Sequence, residues 1–186
     1  MRVLNDIFAK RIKKSQQERG AAAVEFAMIA TPFLMLLFGL FEIMMIFFVQ
    51  TSLESAVHEE SRKIKTGQAN AGAGLTAAAF KAGICSRMMG MIDCNDRLFV
   101  MVENQPATGN LPSPMSNPAI LASPPYQQNT AAGSIVVVRG FYMWPLMTPG
   151  ISSVFKNTSA TGPNGNLGST NRMLVATAAF RNEPFQ

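Results

Sequence analysis

Chemistry has few places to happen in this chain of 186 residues. Cys85 and Cys94 are its two cysteines, His58 its one histidine, and Glu25 a carboxylate set into an otherwise apolar run. In a reducing cytosol the cysteines stay free thiols. In an oxidising compartment a disulfide is the expectation, closing a short loop that contributes roughly 2–3 kcal/mol through chain entropy. Zinc and thioredoxin chemistry both call for C-x-x-C-type pairs, which are absent here. His58 lies among acidic neighbours and has no second imidazole to share a metal, so neither metal nor cofactor is expected. The sequence offers no glycine-rich phosphate loop and no carboxylate pair beside a serine or cysteine. An enzyme, or a small-molecule substrate, is therefore not expected.

Glu25 takes its meaning from the element that carries it. The stretch Gly20 to Val49 is GAAAVEFAMIATPFLMLLFGLFEIMMIFFV, uncharged from Phe26 to Phe41 and interrupted after that only by Glu42. A bilayer span needs about 20 mostly apolar residues. A soluble domain would need a large core to bury such a helix, and the rest of the chain is too small and too polar to supply one. A cleaved signal peptide fits poorly, because its apolar region is about 7–15 residues long and is followed by the small residues of the cleavage site. Here Ala21, Ala22 and Ala23 come first. The segment reads as a retained transmembrane helix, with Glu42 and Gly39 near its outer boundary.

Charge sets the orientation. Residues 1–20 hold Arg2, Lys10, Arg11, Lys13, Lys14 and Arg19 against Asp6 and Glu18, so most of the net charge of +5 sits there. The positive-inside rule leaves this end in the cytoplasm and the polar bulk after Val49 outside. The remainder is close to neutral, which argues against a nucleic-acid partner. A carboxylate at a bilayer centre costs about 2.5–3.5 kcal/mol, so an acid within a span invites a function. Glu25 sits near the helix start, where interfacial water and the helix dipole lower that cost.

A basic leader, Gly20, then Glu25, then an uncharged run resembles the processing site of type IV prepilins and pseudopilins. That resemblance implies cleavage by a membrane-embedded prepilin peptidase between Gly20 and Ala21. Glu25 then becomes the fifth residue of the mature chain and pairs with the new α-amine of a neighbouring subunit. Proline inside a pilin span marks a flexible or melted segment; Pro32 here reads at the least as a kink. The stretch Arg19 to Gly67 narrows the resemblance through GAAAVEFA, Pro32, LLFGLFEI and TSLESAVHEESRKIKTG. It resembles the TadE-like family of tight-adherence (Flp/Tad) pilus systems, and the tail ATAAFRNEPF, Ala176 to Phe185, resembles that family's closing segment. The resemblance implies a minor pseudopilin in the inner membrane with a periplasmic head, non-enzymatic, whose partners are the peptidase and other pilin and pseudopilin subunits. The alternative is an unprocessed single-pass protein whose periplasmic head binds other proteins.

The expected organisation follows the chain. Residues 1–20 form a basic leader with a short helix at Leu4 to Lys14. Residues 21–49 span the membrane, and 50–67 extend the helix on Leu53, Val57 and Ile64. Residues 68–186 form the head. Within it, residues 68–76 link to a helix over Ala77 to Met89 with Phe80, Ile84 and Met88 on one face. Strands are expected at Arg97 to Glu103, Ser134 to Trp144 and Met173 to Phe180. Gly140 suggests a bulge, Met147 to Phe155 a short helix or turn, and Gln105 to Gly133 and Asn157 to Thr170 loops. Phe141, Tyr142, Trp144 and Pro145 read as core. The fold class is α+β and pilin-like: a long N-terminal transmembrane helix, a short helix and about three antiparallel strands.

Overall fold

A computed structural model describes residues 2–68, 74–88, 90, 93–104, 117–127, 130–148, 152–156, 161–162, 165–166 and 170–184. Helix α1 spans Arg2–Lys65. The leader is thus continuous with the span, where the sequence pointed to a separate short helix over Leu4 to Lys14. One glycine at position 20 costs a helix only about 1 kcal/mol relative to alanine, too little to stop it without a cap. Pro32 lacks the N–H that would reach the carbonyl of Met28, yet helix persists on both sides of it. Beside it, the Thr31 hydroxyl donates to the Ala27 carbonyl at 2.7 Å. The helix closes as expected at Gly67, whose N–H reaches the Ile64 carbonyl at 3.1 Å.

The chain divides into two compact units, Met1–Phe41 and Glu42–Gln186. In the first, α1 from Gly20 to Phe41 presents an apolar surface nearly all round, with Phe26 73% and Leu36 70% exposed. Water does not tolerate such a surface on an isolated helix, whereas the helix is long and apolar enough to cross a bilayer. This unit has the character of a single-pass membrane anchor.

In the second unit a three-stranded antiparallel sheet is ordered β1–β2–β5. Strand β1 is Leu98–Asn104, β2 Ile135–Pro145 and β5 Asn171–Arg181. β2 is central because it carries the run IVVVRGFYMW, rich in the β-branched and aromatic residues that suit a strand buried on both faces. One face meets α1: Val49, Leu53, Val57 and Ile64 join Val100, Val138, Trp144 and Ala176 in one cluster. The other face packs Phe99, Met101, Phe141 and Met143 against Leu121, from the 3-10 turn Pro118–Ala122. Tyr142 and Trp144 therefore lie in one cluster and Phe141 in the other, all buried as expected.

Gly140 forms no bulge. The pairing runs unbroken through it, Val100 on one side and Ala176 on the other. Its role is space, since a Cβ there would lie 2.8 Å from Val57 Cγ2. The glycine lets α1 seat directly on the sheet.

Helix α2, Ala77–Arg87, is capped by Thr76, whose side chain accepts from the Ala79 N–H at 3.2 Å. Phe80, Ile84 and Met88 are buried along one face, at the spacing of four that the sequence showed. A disulfide links Cys85 to Cys94, with Cα atoms 6.0 Å apart, joining the end of α2 to the start of α3, Cys94–Arg97. The short helix expected near Met147 to Phe155 is α4, Ser152–Phe155. Part of the Asn157 to Thr170 connection pairs as β3, Thr161–Gly162, with β4, Gly165–Asn166. Residues 105–116 of the long loop lie outside the described residues. Farther on, this loop runs along the outer edge of β1, where the Val102 N–H donates to the Pro125 carbonyl at 3.1 Å.

Candidate functional site

The residues singled out by sequence fall in different units. Gly20, Ala21, Glu25 and Pro32 sit on α1 in the first unit; Cys85 and Cys94 lie in the second. On a helix, residues four apart share a face, so Ala21 and Glu25 are stacked one turn apart. Glu25 is exposed, and among the described residues nothing pairs with it. Its immediate surroundings, Val24, Phe26, Met28 and Ile29, are exposed and apolar. An acid so placed is available to a cation on another molecule. Gly20 is exposed too, and a Cβ built on it meets nothing within 4 Å. An alanine at 20 fits the structure without displacing anything.

Farther along α1, the face turned to the sheet carries two carboxylates within its apolar stripe. Positions 42, 49, 53, 57, 60 and 64 follow one another at helical spacing, and all six are buried. Glu42 is 8% exposed, and its carboxylate accepts from two consecutive backbone N–H groups, Met147 at 2.7 Å and Thr148 at 3.2 Å. The sequence placed Glu42 at the membrane interface as a boundary residue. Its bonds also clamp the segment that leaves β2. That explains why an acid is kept in the apolar run.

Glu60 is 1% exposed. It forms ion pairs with Lys63 Nζ at 2.6 Å and with Arg87 Nε at 2.8 Å, tying α1 to α2. Helix α2 approaches closely at Gly83, where any Cβ would overlap the Glu60 carboxylate. Burial pushes the Glu60 pKa up. The hydrogen bonds and charges of Lys63 and Arg87 outweigh that and leave it below the usual carboxylate value. A lowered folded-state pKa adds stability above the unfolded pKa, which is lost as pH falls through the folded value. Lys63 and Arg87 are about half in water, so Glu60→Gln is expected to cost about 1–3 kcal/mol at pH 7, the worth of charge-assisted hydrogen bonds. The variant is also expected to lose less stability on acidification below pH 4. Melting of the full-length protein in detergent between pH 7 and pH 3 checks this. Identical curves for both proteins would mean the triad contributes nothing.

The tail is pinned by its polar residues. The buried Asn182 donates from Nδ2 to Thr130 Oγ1 at 2.7 Å, and its backbone N–H bonds to the Ser134 carbonyl at 2.9 Å. The Glu183 N–H donates to the carbonyl of Lys65, in the last turn of α1, at 3.0 Å. The closing segment thus fastens β5 to the end of the helix.

No group of metal-ligating side chains occurs among the described residues. An open groove of about 700 Å³ runs along α1 past Thr51, Ser52, Ser55, Glu59 and Arg87. It holds three hydroxyls, the Glu59 carboxylate, which pairs with Arg62, and the Arg87 guanidinium, which pairs with Glu60. The second unit packs the part of α1 from Glu42 onward against the sheet and α2, and the first unit leaves one acid exposed on a lipophilic helix.

Residues 20–62 match the TadE-like protein family, the family that the N-terminal stretch resembles. The matched region opens on Gly20, takes in Glu25, Pro32 and Glu42, and ends within the helix extension; the tail is not part of it. The family is one of structural components associated with Tad pili. Comparison with curated proteins and with solved structures gave no match.

Proposed function

We propose that the chain, with residues 20–62 as its TadE-like segment, is a minor pseudopilin of a tight-adherence pilus, processed after Gly20 and held in the inner membrane with its head in the periplasm. The observation that carries this reading is the pairing of an unpartnered, exposed Glu25 with a family match that begins at the glycine five residues before it. Cleavage at Gly20 places a charged α-amine on Ala21, one helical turn from the carboxylate. In an apolar helix bundle neither charge is tolerable alone. An amine on one subunit and Glu25 on the next neutralise each other, and that pairing sets the stagger between helices. The six basic residues of the leader hold the N-terminus on the cytoplasmic side and leave with cleavage.

The work of the protein is then mechanical. Glu42, Val49, Leu53, Val57 and Glu60 fix the head on its helix, so a force or displacement applied to the helix is passed to the head. The compartment outside the inner membrane is oxidising, which suits the Cys85–Cys94 bridge. Deleting the gene from its native host is expected to remove surface pili, with recovery on re-expression of the full chain. Normal pili in the deletion strain, counted by electron microscopy, would reject the assignment.

A further inference from the structure

We propose that the end of the head made by Leu146–Thr148 and Ser152–Lys156 is a docking foot that rests on the lipid surface, with Met147 and Val154 as its apolar contacts. The proposal rests on the membrane-anchor reading of α1. Outside α1, the described residues leave three large apolar side chains more than half exposed: Ile135 at 53%, Met147 at 75% and Val154 at 77%. Ile135 opens β2 at one end of the sheet. The two most exposed share the other end, where Pro145 pairs with Asn171.

That end is one assembled piece. The Leu146 N–H bonds to the Thr170 carbonyl at 3.0 Å, and the Ser152 N–H reaches the Thr148 carbonyl at 3.4 Å. Arg172 donates to the Phe155 carbonyl at 3.1 Å, with its guanidinium 5.9 Å from the Phe155 ring centre. Glu42 holds the Met147 and Thr148 N–H groups, and Glu42 is the residue that directly follows the uncharged run Phe26 to Phe41. The foot is therefore clamped to α1 at the residue that closes its uncharged run.

Three features point to lipid as the occupant. Irregular backbone near hydrocarbon persists only where its polar groups are satisfied within the protein. Glu42 satisfies two such groups, which an aqueous loop would leave to water. Met44, Met45, Phe47 and Phe48 are exposed on the adjoining turns of α1, so the lipophilic surface continues past Glu42. Ile43, Ile46, Phe47 and Phe155 contribute to a mostly apolar cleft of about 340 Å³, which Arg172 also lines. The exposed Lys156 and the Arg172 guanidinium supply the cationic groups that phosphate headgroups attract.

The test uses the full chain in phospholipid nanodiscs. With Cys85 and Cys94 bridged, a single introduced cysteine carries an environment-sensitive fluorophore, at Met147→Cys, Val154→Cys, Leu36→Cys or Ile135→Cys in turn. Nitroxide-bearing lipid is expected to quench the labels at 147 and 154 as it does the mid-span label at 36, and to spare the label at 135. Quenching at 36 without quenching at 147 and 154 overturns the foot and leaves the anchor intact. No quenching at 36 overturns the anchor, and the foot with it. Labels at 147 and 154 shielded from aqueous iodide but untouched by the lipid quencher mean that a protein surface covers this end, which also overturns the proposal.

Discussion

Glu25→Ala is expected to abolish pilus assembly while leaving the protein in the membrane at its normal level. The substitution makes the span more apolar, so insertion has no reason to fail. The carboxylate has no partner among the described residues, so its loss breaks nothing within the subunit. What disappears is the counter-charge for an α-amine. At about 4 Å, two unit charges attract by roughly 4 kcal/mol in a medium of effective dielectric near 20. Losing such a pair at each helix contact leaves a bare ammonium in an apolar bundle. Glu25→Gln keeps the volume and removes only the charge, and the same defect is expected of it. Sheared surface fractions report the pili, and washed membranes report the subunit. Wild-type piliation in both variants would remove Glu25 from the assembly mechanism.

The second large effect belongs to the seat of α1. A Cβ at position 140 would stand 2.8 Å from Val57 Cγ2 and 3.8 Å from Leu53 Cδ1. Both of those side chains are wholly buried. Overpacking of that kind costs about 1–3 kcal/mol for one methyl group, and Gly140→Val is expected to exceed it and unseat the helix. Urea unfolding of the full-length protein in mild detergent measures the loss, with protease sensitivity of the second unit as a parallel readout. Val57→Ala removes the clashing methyl, so the pair Gly140→Ala with Val57→Ala is expected to recover part of the loss from Gly140→Ala alone. Strictly additive costs would show that residues 140 and 57 do not meet.

The N-terminal half of this account was legible because its physics is one-dimensional. An uncharged run from Phe26 to Phe41 calls for an apolar environment, and that is read from composition alone. Helix α2 and the three main strands were also visible, since Phe80, Ile84 and Met88 keep a helical period and IVVVRGFYMW can hardly be anything but a strand. Gly140 was misread. A glycine within a strand looks the same in sequence whether it allows a bulge or a close approach, and only the partner at Val57 distinguishes the two.

The buried acids were harder. Glu60 occupies the same stripe as Leu53, Val57 and Ile64, yet it hides beside Glu59, Arg62 and Lys63, which face elsewhere. Its signal was present: position 60 lies seven after 53 and four before 64. The partner Arg87 is far off in sequence, so the triad itself could not be inferred. Glu42 follows the same logic, seven before Val49, and its bond to the Met147 and Thr148 N–H groups is a contact no local pattern encodes.

Processing after Gly20 is the claim on which Glu25, the leader and the assembly role all depend. It is tested most directly by the mass and first residue of the protein taken from membranes of a host with its prepilin peptidase, with Gly20→Ala alongside. The substitution is well suited to the purpose, because a Cβ at 20 touches nothing and the helix tolerates alanine. The account predicts a mature chain beginning at Ala21 in the wild type and an uncut chain in the variant. A wild-type chain that keeps residues 1–20 in the presence of the peptidase would contradict it.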